Sequence, residues 1–344
     1  MAKQLPASIL AALDRLEPDL RQAVIDAFDQ ITSAAQVNRL VAMIEEGRID
    51  EAIDALRIEA GFFSPLNERI RQAFAEGGGV ALTGLRLKDP SHGDSFILGF
   101  DGRHARAEAW VRDRSSNLIA EVIEDQRDMA REQIEAGLAA GRNPKQTALD
   151  IVGRVNRATG KREGGFIGLT SQQAAWVRNA EAQLRNLDAE YFTRGKRDKR
   201  YDATVRKAIK DGKPLADADV QKIMSRYKER LLKYRADVIA RTESLNAMRA
   251  GAYEGYQQLV DSGRVRADQV TVTWSATMDG RTRDHHRSLN GTAIQFGEFF
   301  NPEPGVFMLY PGDLEHSTDP KALARETIQC RCVALYRIKS DLMR

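Results

Sequence analysis

From Val220 to Leu259 apolar residues recur at intervals of three and four: Val220, Ile223, Met224, Tyr227, Leu231, Tyr234, Val238 and Ile239, then Leu245, Met248, Ala252, Tyr256 and Leu259. That spacing marks one face of an α-helix. Sustained over about forty residues, it fixes one long helix and makes helical packing the dominant constraint on the fold. Gly212-Lys213-Pro214 is the turn before it, and Asp261-Ser262-Gly263 stops it.

The same period runs through most of what precedes. Ile9, Leu13, Leu16, Leu20, Val24 and Phe28 form a first stripe, in which Pro18 is expected to break or kink the helix. Val37, Leu40, Val41 and Ile44 form a second, and Ile49 to Ile58 a short helix. A long helix is expected from Ala105 to Ala140 and a short one from Thr147 to Val155. Thr170 with Gln173 three residues on reads as a capping box opening another. Residues 61–109 are the least regular. Gly77-Gly78-Gly79 lacks the Lys-Ser/Thr of a phosphate loop and reads as a flexible connection. Asp89-Pro90-Ser91-His92-Gly93-Asp94 reads as a turn between short strands at Val80–Leu87 and Ser95–Phe100.

A length of 344 residues favours two domains, or one domain with a helical extension. No apolar run approaches the about 18 residues that span a bilayer, so no membrane association is expected. The first residues lack an apolar signal region. Net charge is +3, unevenly spread. Residues 1–60 are acidic. The segment 194–210 carries Arg194, Lys196, Arg197, Lys199, Arg200, Arg206, Lys207 and Lys210 against Asp198 and Asp202. Such asymmetry suits different partners at different places. A basic run of this density could make several sequence-independent phosphate contacts.

After Gly263 the character changes. Val270, Val272 and Trp274 alternate with polar residues and read as a strand, Asn290-Gly291 as a turn, Ala293–Phe296 as a short strand, and Ile328 with Val333–Ile338 as a last strand. Pro302, Pro304, Pro311 and Gly312 mark a loop-rich stretch. The expected fold is mainly α: an elongated helical body followed by a small C-terminal α+β domain, with a zinc staple as a candidate support. The expected division is acidic helices at 1–60, an irregular or hairpin connector at 61–104, a helical body at 105–236 and the α+β domain at 237–344.

Both cysteines and three of the five histidines fall in this last part. Cys330 and Cys332 are too close in sequence for an unstrained disulfide. With an upstream histidine they offer the thiolate and imidazole ligands that zinc prefers. The candidate metal ligands are His286, Cys330 and Cys332, with Asp279 or His285 as fourth; zinc is expected in a structural role, with no other cofactor. Arg241 and Glu243 sit two apart on the long helix and project from different faces, so each is expected to make a separate ion pair with the terminal domain. Arg281 and Arg283 are candidate partners for Asp279, Asp284 or Glu243. Two catalytic readings compete. His285-His286 followed by Asn290 suggests a metal-dependent nuclease, with His316 as its only further histidine. Arg241-Thr242-Glu243 suggests an ADP-ribosyltransferase, whose residues should come from separate strands rather than one helix.

The order of these residues resembles the phage Mu F-like head-morphogenesis (minor capsid protein) family. The likeness is carried by Ile239-Ala240-Arg241-Thr242-Glu243, by Trp274 with Asp279, Arg281, Arg283 and His286, and by Leu289-Asn290-Gly291, Pro311-Gly312-Asp313 and Cys330-Arg331-Cys332. Upstream it extends through Leu169-Thr170, Ala174, Trp176-Val177-Arg178, Lys199-Arg200-Tyr201-Asp202 and Lys207-Ala208-Ile209, covering roughly 105–340. In some relatives a Cys-x₂-Cys pair stands where this chain has Arg283 and His286. That places His286, Cys330 and Cys332 at metal-ligand-like positions and Arg283 where a further ligand would be. The resemblance implies a non-enzymatic minor head protein of a phage or prophage, portal-associated inside the head. Its implied partners are the portal protein, the major capsid or scaffold protein and packaged double-stranded DNA. Its implied place is the virion, with assembly in the bacterial cytoplasm.

Overall fold

The computed structural model describes residues 6–88 and 95–339. The turn expected at 89–94 and the first five residues, read for a signal region, lie outside them. Among the described residues the chain forms eleven α-helices and seven short strands. They fall into two compact units, each assembled from separated stretches of sequence.

One unit takes residues 22–64 and 116–237 and is helical. It holds the C-terminal part of α1 (Ala7–Ala34), then α2 (Val37–Glu45) and α3 (Ile49–Asp54). Most of α5 (Ala105–Ala139) follows, with α6 (Pro144–Val152), α7 (Ser171–Arg185), α8 (Asp202–Asp211) and the first half of α9 (Asp217–Asp261). A two-residue ladder, β3 (Arg154–Val155) with β4 (Arg162–Glu163), closes the glycine-rich loop between α6 and α7. Its core is apolar: Phe28, Ile31, Leu40, Ile44, Phe63, Met129, Ile151, Leu169, Val177 and Leu231 are all buried. Phe28 meets Phe63 edge to face. The N-termini of α6 and α7 are satisfied by their own sequence. Thr170 Oγ1 accepts from the Gln173 N–H at 3.2 Å while Gln173 Oε1 accepts from the Thr170 N–H at 3.2 Å, the capping box read from the sequence. Asn143 caps α6 with Pro144 in its first turn, and Gly212 ends α8 in the left-handed conformation.

The other unit gathers the described residues up to Arg21, with 65–115 and those from Val238 on. It contains α4 (Ser64–Leu82) from residue 65 and the hairpin β1 (Arg86–Lys88) with β2 (Ser95–Ile97). The second half of α9 follows, then β5 (Val270–Ser275), α10 (Asp284–Ser288), β6 (Ala293–Gln295), α11 (Pro320–Thr327) and β7 (Val333–Ile338). The three late strands make an antiparallel sheet in the order β6-β5-β7, with Val272 opposite Ile294 on one side and Tyr336 on the other. Trp274 and Val272 fill one core with Tyr256, Leu259, Phe300, Met308, Cys330 and Cys332. Asn290-Gly291 returns the chain to the sheet: Asn290 Oδ1 accepts from the Ala276 N–H, and the Gly291 N–H donates to the Trp274 carbonyl.

Several elements differ from the sequence reading. Of the break or kink expected at Pro18, the break does not occur: Pro18 lies inside α1, which continues to Ala34. Leu13, Leu20, Val24 and Phe28 around it are all buried, and that burial outweighs the about 3 kcal/mol a helix loses to proline. Gly77-Gly78-Gly79 is no flexible connection but part of α4. A Cβ at Gly77 would collide with the Met248 backbone and one at Gly251 with the Phe74 carbonyl, so α4 and α9 cross backbone to backbone. The strand expected from Val80 is the end of that helix, and β1 begins at Arg86. The loop-rich stretch before the cysteines hides α11, and Ile328 is its C-cap rather than strand.

Candidate metal centre

His286 comes from α10, and the two cysteines from the turn between α11 and β7. Each of the three is at most 2% exposed. The backbone of the cysteine turn is held from α9. The Gln329 N–H, on a residue with φ of 55°, donates to Thr242 Oγ1 at 3.1 Å. Arg249 Nη2 donates to the Cys330 carbonyl at 2.8 Å while Nη1 donates to Asn246 Oδ1 at 3.1 Å. Gly312 lies against this Arg249–Asn246 pair with φ of 85°, where any Cβ would stand 2.6 Å from both side chains. Asp313, buried beside it, accepts from the Leu309 and Glu315 N–H groups and contacts His316 Nδ1 at 2.8 Å. Gly312 thus lets this loop close against α9, and Asp313 ties the loop to itself.

His286 Nδ1 lies 3.5 Å from Cys330 Sγ and 3.4 Å from Cys332 Sγ. Tetrahedral zinc, with Zn–S of about 2.3 Å and Zn–N of about 2.0 Å, has sulfur-to-nitrogen edges of about 3.6 Å. His286 Nδ1 already stands at that spacing from both sulfurs. On its other side, His286 Nε2 is 2.6 Å from Glu326 Oε2, a charge contact whose angles fall outside those of a hydrogen bond. A carboxylate behind a metal-binding imidazole fixes the ring's orientation and raises its basicity. The thiols titrate as a pair. The hydrogen bond from Cys332, with help from Arg249 and His286, holds Cys330 well below the ordinary thiol range. The same hydrogen bond, burial and the neighbouring negative charge push Cys332 up. One thiolate therefore forms readily, and a second needs a cation between the sulfurs. The residues present fit zinc, and the closed surroundings are those of a structural site rather than one that admits substrate.

Asp279 is engaged elsewhere. Arg331, between the two cysteines in sequence, grips it with both guanidinium ends at 2.7 and 2.6 Å. That pairing, with the Arg281 N–H, holds its carboxyl well below the usual range. His285 turns from the sulfurs towards Glu303 and Glu326. Arg281 is 3.8 Å from Asp279, and Arg283 donates to the Ile328 carbonyl at 2.6 Å. Arg241 and Glu243 do project from different faces of α9, but neither reaches the late strands. Arg241 pairs with Glu17 on α1 at 3.2 Å. Buried Glu243 takes Arg114 on α5, Nε at 2.7 Å from Oε2. Glu326, Thr242 and Arg249 are the residues that sequence reading missed. Asp319-Pro320, a cap followed by a proline at the first helical position, was the signal for α11 and hence for Glu326.

The basic segment of the helical unit is largely self-paired. Arg197 binds Asp202 at 3.0 and 2.9 Å. Arg200 binds Asp198 at 2.6 Å and, with Arg230, draws that carboxyl down to about 2. Arg194 donates to Gln183 at 2.6 Å. Lys196 lies over the Tyr234 ring and Arg206 over that of Phe192. Lys199, Lys207 and Lys210 are exposed and unpaired among the described residues.

Residues 199–335 match the family described as Phage Mu protein F like protein, so the family resemblance in the sequence is borne out over that segment. The "Minor head protein GP7" of Bacillus phage SPP1 is 29% identical over 108 residues. That match covers 31% of this chain and 31% of the relative, so the chain aligns with about a third of that protein's length. No solved structure matches. No helix among the described residues is long and apolar enough to cross a membrane.

Proposed function

We propose that this chain, Mu F-like from residue 199 to 335, is a minor head protein of a phage or prophage that serves head assembly without catalysing a reaction. The observation that carries the reading is that match, which spans α8, α9 and the part of the cysteine-bearing unit from Val238 into β7. The site geometry supports the same side. His286 has one nitrogen on two sulfurs and the other on a carboxylate, all buried, so no ligand atom of this thiolate site faces solvent to meet a phosphodiester. In this reading Cys330, Cys332 and His286 hold a structural zinc that fastens the loops around β5 and β7. The protein sits inside the head beside the portal, where Lys199, Lys207 and Lys210 meet packaged DNA. Co-expression with portal, scaffold and coat proteins, followed by sedimentation of assembled particles, tests the reading. A few copies of this chain should travel with each particle. A chain that stays at the top of the gradient while particles form normally would overturn it.

A further inference from the structure

A second cluster, of different chemistry, lies beside the thiolate site. His285 Nδ1 is 3.5 Å from Glu326 Oε1 and 4.0 Å from Glu303 Oε2. One ligand atom from each residue can be chosen so that all three lie within 4.8 Å of one another. Glu326 is the unusual member. Its side chain is only 4% exposed, with Oε2 against His286 Nε2 at 2.6 Å and Oε1 turned to His285. Its close neighbours are the His285 and His286 rings and the Glu303 carboxylate. Arg325 pairs with Glu303 Oε1 at 3.1 Å, which leaves Glu303 Oε2 facing the cluster. A buried carboxylate beside a second carboxylate calls for a cation.

We propose that His285, Glu303 and Glu326 form a second divalent-cation site, set back to back with the thiolate site through Glu326. Ligand atoms about 2.1 Å from one cation stand about 3.0 to 3.5 Å apart. The two edges to His285, 3.5 and 4.0 Å, lie within about half an ångström of that spacing, and the two carboxylates stand within 4.8 Å of each other. The ligand types separate the two sites. Two sulfurs and an imidazole select zinc, whereas one imidazole and two carboxylates without sulfur accept manganese or zinc. The openings differ too: the His285 side chain is 50% exposed, so the second site reaches solvent and completes its coordination with water. Glu326 serves both, one oxygen binding the cation and the other holding His286. The second site does not depend on the first being filled.

The test uses the full chain and two probes. Mn²⁺ is titrated with its free ion followed by electron paramagnetic resonance. Co²⁺ loading is followed by the thiolate-to-metal absorption that only the cysteine site can give. The wild type should bind one equivalent of Mn²⁺. His285→Gln and Glu303→Gln should each weaken that binding at least about tenfold, the lower range of the loss when even an outer-shell partner of a metal is removed. Both variants should leave the cobalt–thiolate band unchanged. Glu326→Gln should weaken both signals. Less than half an equivalent of Mn²⁺ at millimolar free ion, or equal Mn²⁺ affinity in the wild type and both variants, overturns the second site. A missing cobalt–thiolate band with Mn²⁺ still bound overturns the zinc reading and leaves the second site standing.

Discussion

The helical unit and the cysteine-bearing unit reach burial by different routes. The helical unit buries apolar side chains from α1, α2, α3, α6 and α7, and α6 and α7 are capped by their own residues. The cysteine-bearing unit adds to α4, α11 and the second half of α9 a three-stranded sheet, a five-residue helix and long loops, and there it buries His286, Glu326, Asp313, Glu243 and Arg249. Regular elements satisfy their backbone groups locally. Loops must find partners for them one at a time, and so the second unit leans on polar clamps and, in our reading, on metal.

The sharpest way to break this comparison is to remove the metal. Chelation, or the double change Cys330→Ser with Cys332→Ser, should cost on the order of 5 kcal/mol, a fraction of what zinc contributes in small metal-stapled domains. Hydrogen exchange should rise across β5 and β7 and stay slow in α2 and α6. Equal loss in both units would erase the distinction drawn here. Next in size is the α4–α9 crossing. Gly251→Ala forces a Cβ against the Phe74 carbonyl, and about 3 kcal/mol should be lost in denaturant unfolding, the scale of an overpacked contact. An unchanged midpoint would mean that the helices can move apart.

A smaller effect probes the helical unit. Burial lowers the Lys228 ammonium to about 8, against an ordinary value of 10.5. Between those values the unfolded chain binds the extra proton, so stability rises with pH across that window. The wild type should gain on the order of 2 kcal/mol between pH 8 and pH 10 relative to Lys228→Met. Parallel curves for the two proteins would show that the ammonium is hydrated. The smallest effect on stability, near zero, is expected for Lys199→Gln, Lys207→Gln and Lys210→Gln together. Their signature is instead a DNA-binding salt slope shallower by about 3. An unchanged slope would remove these lysines from any contact with DNA.

Legibility in the sequence follows the same divide. Thr170 with Gln173, Asn143-Pro144 and the stripe of α9 are local signals, and each stands where its spacing put it. Gly77-Gly78-Gly79 was not legible as helix, because glycine costs about 1 kcal/mol per helical position and only the approach of α9, far away in sequence, supplies the compensation. His286, Cys330 and Cys332 converge as their residue types suggested. Asp279 was an equally good ligand by type, but Arg331 takes both of its oxygens. Spacing shows which residues can bind a metal. It does not show which already have a guanidinium.

The crossing of α4 over α9 has a mechanical consequence. Where side chains mesh, helices can slip by a rotamer change or a ridge. Here Gly77 rests on the Met248 backbone and Gly251 on the Phe74 carbonyl, so main chain meets main chain at two points and no side chain can yield between them. Such a joint has one register. The Thr242 and Arg249 clamps on the cysteine turn sit on the same stretch of α9 as this joint, so the register of α4 on α9 also sets the place of the cysteines.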